Sequence, residues 1–299
     1  MEKGLLLKGI GGFYYVETQS DGILECKARG VFRNKEVSPL AGDLVMVERT
    51  EPDKGVIDEI LPRKNQLRRP PVSNLDQLIF VVSVCEPRPN PLLLDKLIAI
   101  AEYKKIKPVV VITKTDLSPG DELCRIYSHA GFDTIMLSNQ EPEAVQPVKD
   151  ILQGKISAFT GNSGVGKSTL LNNIAPELEL ETADISKKLG RGRHTTRQVT
   201  LYKLDNGGYI ADTPGFSALE TGQYEVILKE ELQYCFREFS PYLNRCRFRG
   251  CSHTSEKGCA VIAAMEAGEI ERSRHGSYRE MYEEAKKIKE WELHPKEQR

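Results

Sequence analysis

Five short runs rich in β-branched and aromatic residues open the chain: LLLKGI, FYYVET, GILECKAR, DLVMVERT and GVIDEIL, all within residues 5–61 and separated by Gly, Asp, Pro or polar turns. Their spacing predicts five strands closing into a small barrel. An OB-type barrel is favoured, and an SH3-like barrel fits the same strands. The stretch Pro62–Val72 is rich in Pro and Arg, and Pro70 and Pro71 oppose regular structure. Beyond it the pattern changes. Apolar runs LIFVVSV (78–84), VVVIT (109–113), ISAFT (156–160) and YIADT, which carries Asp212, alternate with helix-like segments at 92–105 and near 120–130. That alternation predicts an α/β unit with a parallel sheet and crossover helices. After about residue 222 strand signals cease, and helix-like segments flank a Cys/His cluster. The Glu/Lys mixture at 278–291 reads as a solvated helix.

At 299 residues the chain exceeds the usual single domain, which fits this tripartite pattern. A formal net charge of −1 argues against a nucleic-acid binder acting through bulk charge, so any such partner must be met by local patches. The sequence MEKGLLLKGIGGFYYVE lacks a signal-peptide core, and no uninterrupted apolar run reaches membrane-spanning length. A soluble cytoplasmic protein without a membrane partner is expected. Of seven cysteines, Cys26, Cys85 and Cys124 stand isolated and read as free thiols.

The first chemical signal is Gly161–Ser168, GNSGVGKS, a full match to G-x-x-x-x-G-K-[ST] placed between the strand ISAFT and the helix-like TLLNNIAP. Gly161, Asn162, Ser163, Gly164, Val165 and Gly166 are expected to wrap their backbone around phosphates. Lys167 would neutralise the β/γ oxygens, Ser168 would ligate Mg²⁺, and Thr169 would continue the contact at the helix N-terminus. A P-loop alone does not choose the base. Thr113-Lys114-Thr115-Asp116, at the end of VVVIT, resembles the [NT]KxD motif of GTPases. The Asp116 carboxylate can accept two hydrogen bonds from guanine, whereas adenine offers no matching donor pair. Lys114 would lie along the base. A third element, Asp212-Thr213-Pro214-Gly215, matches DxxG: Asp212 would hold Mg²⁺ through water, and the Gly215 N–H would sense the γ-phosphate. The base pocket should also include Ser138, from LSNQ (137–140).

Cys246, Cys251, His253 and Cys259 place three thiolates and an imidazole within fourteen residues. This set suits one tetrahedral, structural Zn²⁺. Arg245, Arg247 and Arg249 alternate with the ligands and would display a basic surface, either toward rRNA phosphates or simply toward solvent.

The nucleotide motifs run TKTD, GNSGVGKS, DTPG, whereas GTPases ordinarily begin with the phosphate loop. This is a circular permutation. With ARGVFR (28–33), GD (42–43), RPPVSNLDQ (69–77), GRGRHTTR (190–197) and CRFRGCSHTSEKGC (246–259), nearly the whole chain resembles the RsgA (YjeQ) family of small-ribosomal-subunit-dependent GTPases. The resemblance implies a circularly permuted P-loop GTPase core at 69–221, an N-terminal OB-type barrel at 1–68 and a C-terminal helical zinc-binding domain at 222–299. It implies a GTP-hydrolysing enzyme that uses Mg²⁺, binds the small subunit and its 16S rRNA as a monomer, and assists late subunit maturation. It also favours Thr196 over Thr195 as the second protein ligand of Mg²⁺. Phe216 follows DTPG where many GTPases carry a water-orienting Gln, so intrinsic hydrolysis should be slow and partner-stimulated. His194 is the internal candidate for positioning water, with a solvated loop histidine the competing reading. On the barrel, Phe13, Tyr14, Tyr15, Arg29, Phe32, Arg33 and Lys35 are candidates for RNA contact, several of which alternation should bury. Two other readings are a nucleotide-regulated RNA scaffold with negligible turnover and an ATP-using kinase; TKTD disfavours the second.

Overall fold

The computed structural model describes residues 1–20, 22–30, 32, 38–138, 142–176, 199–212 and 226–288. The first five strands are β1 (Glu2–Ile10), β2 (Phe13–Thr18), β3 (Gly22–Ala28), β4 (Leu44–Glu51) and β5 (Lys54–Ile60). They close in the order β1-β2-β3-β5-β4, with β3 and β5 parallel and the other pairs antiparallel. This is the OB-type arrangement. Alternation puts Leu6, Val16, Leu24, Cys26, Val45, Val47 and Ile57 inside.

The short pair β6 (Gln66–Leu67) and β7 (Val72–Ser73) joins the barrel to the next unit. Its anchor is Asp43, which is fully buried. Arg63 donates to both of its carboxylate oxygens at 2.7 Å, Ser73 Oγ donates at 2.6 Å and the Leu40 N–H at 2.8 Å. A buried carboxylate is tolerated only when its acceptors are satisfied in this way. The adjoining Gly42 has φ +94° and approaches Ser73 so closely that a Cβ would lie 2.0 Å from its carbonyl oxygen, so no other residue fits there. The GD and RPPVSNLDQ elements are therefore structural: they form the joint.

The six-stranded sheet comprises β8 (Gln77–Ser83), β9 (Lys107–Thr113), β10 (Asp133–Met136), β11 (Ile156–Thr160), β12 (Thr200–Lys203) and β13 (Tyr209–Asp212), in the order β10-β9-β8-β11-β13-β12. All neighbours are parallel except the edge pair β12–β13. Both faces are covered, so the strands are apolar throughout. Leu78, Phe80, Val110 and Ile112 face one core, with helices α1 (Pro91–Tyr103) and α2 (Asp121–His129). Ile79, Val81, Val109 and Val111 face the other, with α3 (Gln146–Leu152) and α4 (Lys167–Ile174). The two edge strands β10 and β12 escape the sequence reading because each is four residues long and only partly buried.

The C-terminal unit contains α5 (Lys229–Leu232), two short 3₁₀ turns, α6 (Ala260–Glu266) and α7 (Arg272–Ala285) around Phe236, Phe239 and Tyr278. Here the expectation of a solvated last helix is corrected. The helix begins at Arg272, and Arg274, His275, Tyr278 and Met281 are buried. Arg274, 1% exposed, donates to Asp95 on α1 at 2.6 Å and to Glu238 at 2.7 Å, while its guanidinium lies over Phe236. Tyr127 Oη donates to the same Asp95 oxygen. Arg237 adds bonds to Glu102 and to the Gly131 carbonyl, and Lys96 pairs with Glu284 at 2.7 Å.

Removing Arg274 would strand two buried carboxylates. Arg274→Met should therefore lower the unfolding free energy by about 3–5 kcal/mol in urea titrations, despite its preserved apolar bulk. A loss below about 1 kcal/mol would mean that the network does not hold this unit to α1.

Candidate functional site

Strand order reverses between β8 and β11, and in open α/β sheets the crevice beyond the carboxyl ends at such a reversal is where ligands bind. β11 delivers Gly161 directly into that crevice. A Cβ on Gly161 would sit 2.4 Å from the Val81 carbonyl oxygen on β8, so the loop can leave the sheet this tightly only as glycine. Gly164 and Gly166 take φ +81° and +92°. The helix α4 then starts with no side-chain cap, which leaves its first N–H groups available to an anion. Within the loop Ser163 and Gly164 are exposed, as is Thr169 on α4, whereas the Val165 side chain is buried.

The Val165 carbonyl has a specific partner: Thr113 Oγ1, at 2.5 Å. The same hydroxyl is 3.1 Å from the Val82 carbonyl, but it carries one hydrogen and the shorter contact takes it. Thr113 is fully buried. It ties the end of β9 to the phosphate loop rather than presenting itself to a ligand. Lys114 follows with φ +61° and directs Nζ to the Glu86 carbonyl, which places its stem over the β8–α1 loop. The Thr115 N–H donates to the Leu137 carbonyl at 3.3 Å, and Asp116 is exposed at the open edge. Ser83 Oγ donates to Pro87, and Asn90 caps α1 by accepting from the Leu93 N–H. Neither Glu86 nor the Ser83–Pro87 bond was legible beforehand, since a backbone carbonyl leaves no residue-type signature.

Lys167 and Asp212 come within electrostatic reach. Burial pushes the Lys167 ammonium below its ordinary pKa, and the Asp212 carboxylate acts against that shift. A buried cation with partial compensation suits a polyanion. Ser168 is half-buried at the first turn of α4. Thr196, Gly215 and His194 lie outside the described residues, as do Thr195 and Phe216. Below the loop a cavity is lined by Phe80, Leu94, Leu97, Val165 and Asn162, whose side-chain oxygen is buried without a partner among the described residues.

The second cluster is in the C-terminal unit. Ligand atoms of Cys246, Cys251, His253 and Cys259 all lie within 4.8 Å of one another. His253 directs Nδ1 to Cys259 Sγ at 3.3 Å and Cys246 Sγ at 3.5 Å, while Nε2 meets Gln233 Oε1 at 3.0 Å. Since that amide oxygen only accepts, the proton sits on Nε2 and Nδ1 offers its lone pair to the cluster. The Ala260 N–H donates to Cys246 Sγ at 3.3 Å. Burial pushes the Cys251 thiol up to about 12 and raises Cys259 as well, so unaided they would be neutral thiols. Four convergent soft donors with an oriented imidazole fit a tetrahedral metal ion. His275 Nε2 and Tyr278 Oη donate to the His253 and Ser252 carbonyls at 2.8 Å, fixing the loop from behind.

On the barrel, Tyr14 and Phe32 pack against the core, and Arg29 pairs with Glu48 and Asp58. Phe13 and Tyr15 lie under Lys27 and Lys8. Arg33 and Lys35 fall outside the described residues. Among the described residues no helix is long and apolar enough to cross a membrane.

The family profile of the RsgA GTPase matches residues 60–222, and that of the RsgA N-terminal domain matches residues 3–57. The small ribosomal subunit biogenesis GTPase RsgA of Caldanaerobacter subterraneus subsp. tengcongensis is 47% identical over 95% of this chain and 96% of its own. That of Ruminiclostridium cellulolyticum is 45% identical over 97% and 96%. Among solved structures, YjeQ from Thermotoga maritima superposes with a TM-score of 0.82 at 35% identity, covering 96% of this chain and 99% of that one. YloQ, described as a circularly permuted GTPase, gives 0.80 at 35%, covering 99% and 97%. With its permuted motif order, barrel and Cys/His cluster all in place, the chain belongs to the RsgA GTPase family.

Proposed function

We propose that this chain binds the small (30S) ribosomal subunit in the cytoplasm as a monomer and assists its late maturation, hydrolysing GTP to GDP and phosphate under stimulation by the subunit. The observation that carries the reading is the joining of two motifs at one sheet edge: the base-reading strand and the phosphate loop share the Thr113–Val165 bond. The names carried by the relatives, small ribosomal subunit biogenesis GTPases, support the subunit as partner. The units would be residues 1–68, 69–221 and 222–299.

In this reading Asp116 accepts from guanine, Lys114 flanks the base, and Gly161–Thr169 wrap the phosphates with Lys167 against the β/γ oxygens. Ser168, Thr196 and Asp212 would hold Mg²⁺, which would supply charge neutralisation for the phosphates. Gly215 would register the γ-phosphate, and His194 would orient water, because Phe216 has no group that can. The zinc unit and the barrel would meet 16S rRNA.

GTP turnover measured with and without purified small subunits tests the reading, with large subunits as control. Turnover should be slow for the free chain and rise at least about tenfold with small subunits alone, the order expected when a partner supplies or orders a missing catalytic group. Equal rates in all three would sink it. His194→Ala saturated with subunits should lose most of the stimulated rate, whereas an unchanged rate would remove that residue from the chemistry.

Asp116→Ala should lose guanine selectivity by at least about two orders of magnitude in GTP-over-ATP competition. Metal analysis of protein purified without chelator should find one zinc per chain. Stripping that ion should melt the C-terminal unit first, read as lost protection of the 246–259 amides in hydrogen exchange. Zinc-free protein with native protection there would refute the structural role.

A further inference from the structure

The metal loop borders a cleft of ≈ 640 Å³, the size range of small-molecule sites, whose walls include Gln233, Tyr234, Asn244, Arg247, Phe248 and Arg249. Among the described residues no carboxylate lines it. Most of the described aromatic residues of this unit are buried or half-buried, Tyr242 and Tyr282 among the latter. Phe236, Phe239 and Tyr278 are buried, while Tyr234 is 64% and Phe248 54% exposed, both on this cleft. Neither ring is needed by the core or by the metal. Phe248 stands between the ligands Cys246 and Cys251, on backbone fixed by the Arg247 N–H to Gly258 carbonyl bond at 3.0 Å and by the cluster itself. The ring is thus presented on a rigid frame, with little ordering cost left for a ligand.

Arg247 holds its guanidinium 5.5 Å from the Phe248 ring centroid, a cation–π contact that engages one face and leaves the other. Arg247 and Arg249, both on the cleft, supply two positive charges, neither of them in an ion pair among the described residues. Exposed aromatics beside two arginines that have no ion-pair partner among the described residues suit a ligand with both a π-face and a phosphate. Duplex RNA hides its base faces, whereas an unpaired nucleotide offers both groups.

We propose that this cleft is a binding site for one unstacked nucleotide of single-stranded RNA, its base against Phe248 and Tyr234 and its phosphates against Arg247 and Arg249. The proposal rests on the rRNA-binding reading and adds the class of nucleotide and the residues that take it.

The test is fluorescence anisotropy of the full, zinc-loaded chain with a labelled single-stranded RNA octamer, its duplex, and the octamer carrying abasic riboses. Phe248→Ala and Tyr234→Ala should each weaken octamer binding by about 5- to 150-fold, with the salt slope unchanged. Phe248→Trp should retain affinity. Arg249→Ala should instead reduce the salt slope by about one, alike for the octamer and its abasic form. Both aromatic side chains are more than half exposed, so zinc content and Tm should not move. The site is refuted if the unaltered chain fails to bind the octamer, if Phe248→Ala binds it as tightly as the parent, or if that variant loses the abasic strand equally. Loss of small-subunit binding with octamer affinity intact would assign the face to a ribosomal protein and overturn the RNA assignment. Absence of subunit-stimulated GTP turnover would count against the function proposed above, while the octamer series would still decide the cleft.

Discussion

The nucleotide edge of this molecule depends on one hydroxyl. Thr113 Oγ1, buried at the end of β9, lies 2.5 Å from the carbonyl of Val165 in the phosphate loop. With Gly161 pressed against the Val81 carbonyl, it fixes the loop to strands β8 and β9. Everything chemical at this edge follows from that fixation. Lys167 is held where burial disfavours its charge, the first turn of α4 faces the crevice uncapped, and the exposed Asp116 follows three residues after the braced threonine. A loop whose backbone is already restrained gives up little freedom when a phosphate arrives.

The flanking units are joined by a second kind of constraint, buried charge. Asp43 with Arg63 closes the barrel onto the core, and Arg274 with Asp95 and Glu238 closes the metal unit onto α1. Such pairs add little net stability compared with apolar packing, but they penalise every arrangement in which a partner is missing. They therefore specify orientation. On the barrel side Glu17 is gripped by Lys203 of β12 and Tyr209 of β13, so the barrel is fixed to the edge of the sheet that carries Asp212.

These joints are what the sequence hides. The P-loop, TKTD, DTPG and the Cys/His cluster are legible because each is local: chemistry demands particular residues at short spacing, and a strand or loop supplies them. The strands of the barrel and of the sheet interior were legible through periodicity. Arg274 was not, because a charged residue on a helix looks the same whether solvent or a carboxylate nearly two hundred positions away satisfies it. Asp43 reads as a turn residue for the same reason. The edge strands β10 and β12 are too short for periodicity to register, and Thr113 reads as one letter of a ligand motif although its side chain serves the scaffold. Distance along the chain, not subtlety of chemistry, separates what was readable from what was not.

The same joints bear on how the nucleotide could be felt elsewhere. The motif order suggests a direct route, since the chain leaves Asp212 and within about fifteen residues enters the metal unit. The packing offers a second element. Helix α1 begins just after the Glu86 carbonyl gripped by Lys114 and the Pro87 carbonyl gripped by Ser83, and its N-terminal turns wall the cavity beneath the phosphate loop. Three of its side chains, Asp95, Lys96 and Glu102, hold the metal unit. A helix fixed at one end to the nucleotide edge and along its length to the metal unit cannot let either move alone. A γ-phosphate-driven displacement that moved the metal unit would therefore have to carry α1 with it or break the buried Arg274–Asp95–Glu238 network, and the cost of the second makes the first the cheaper motion.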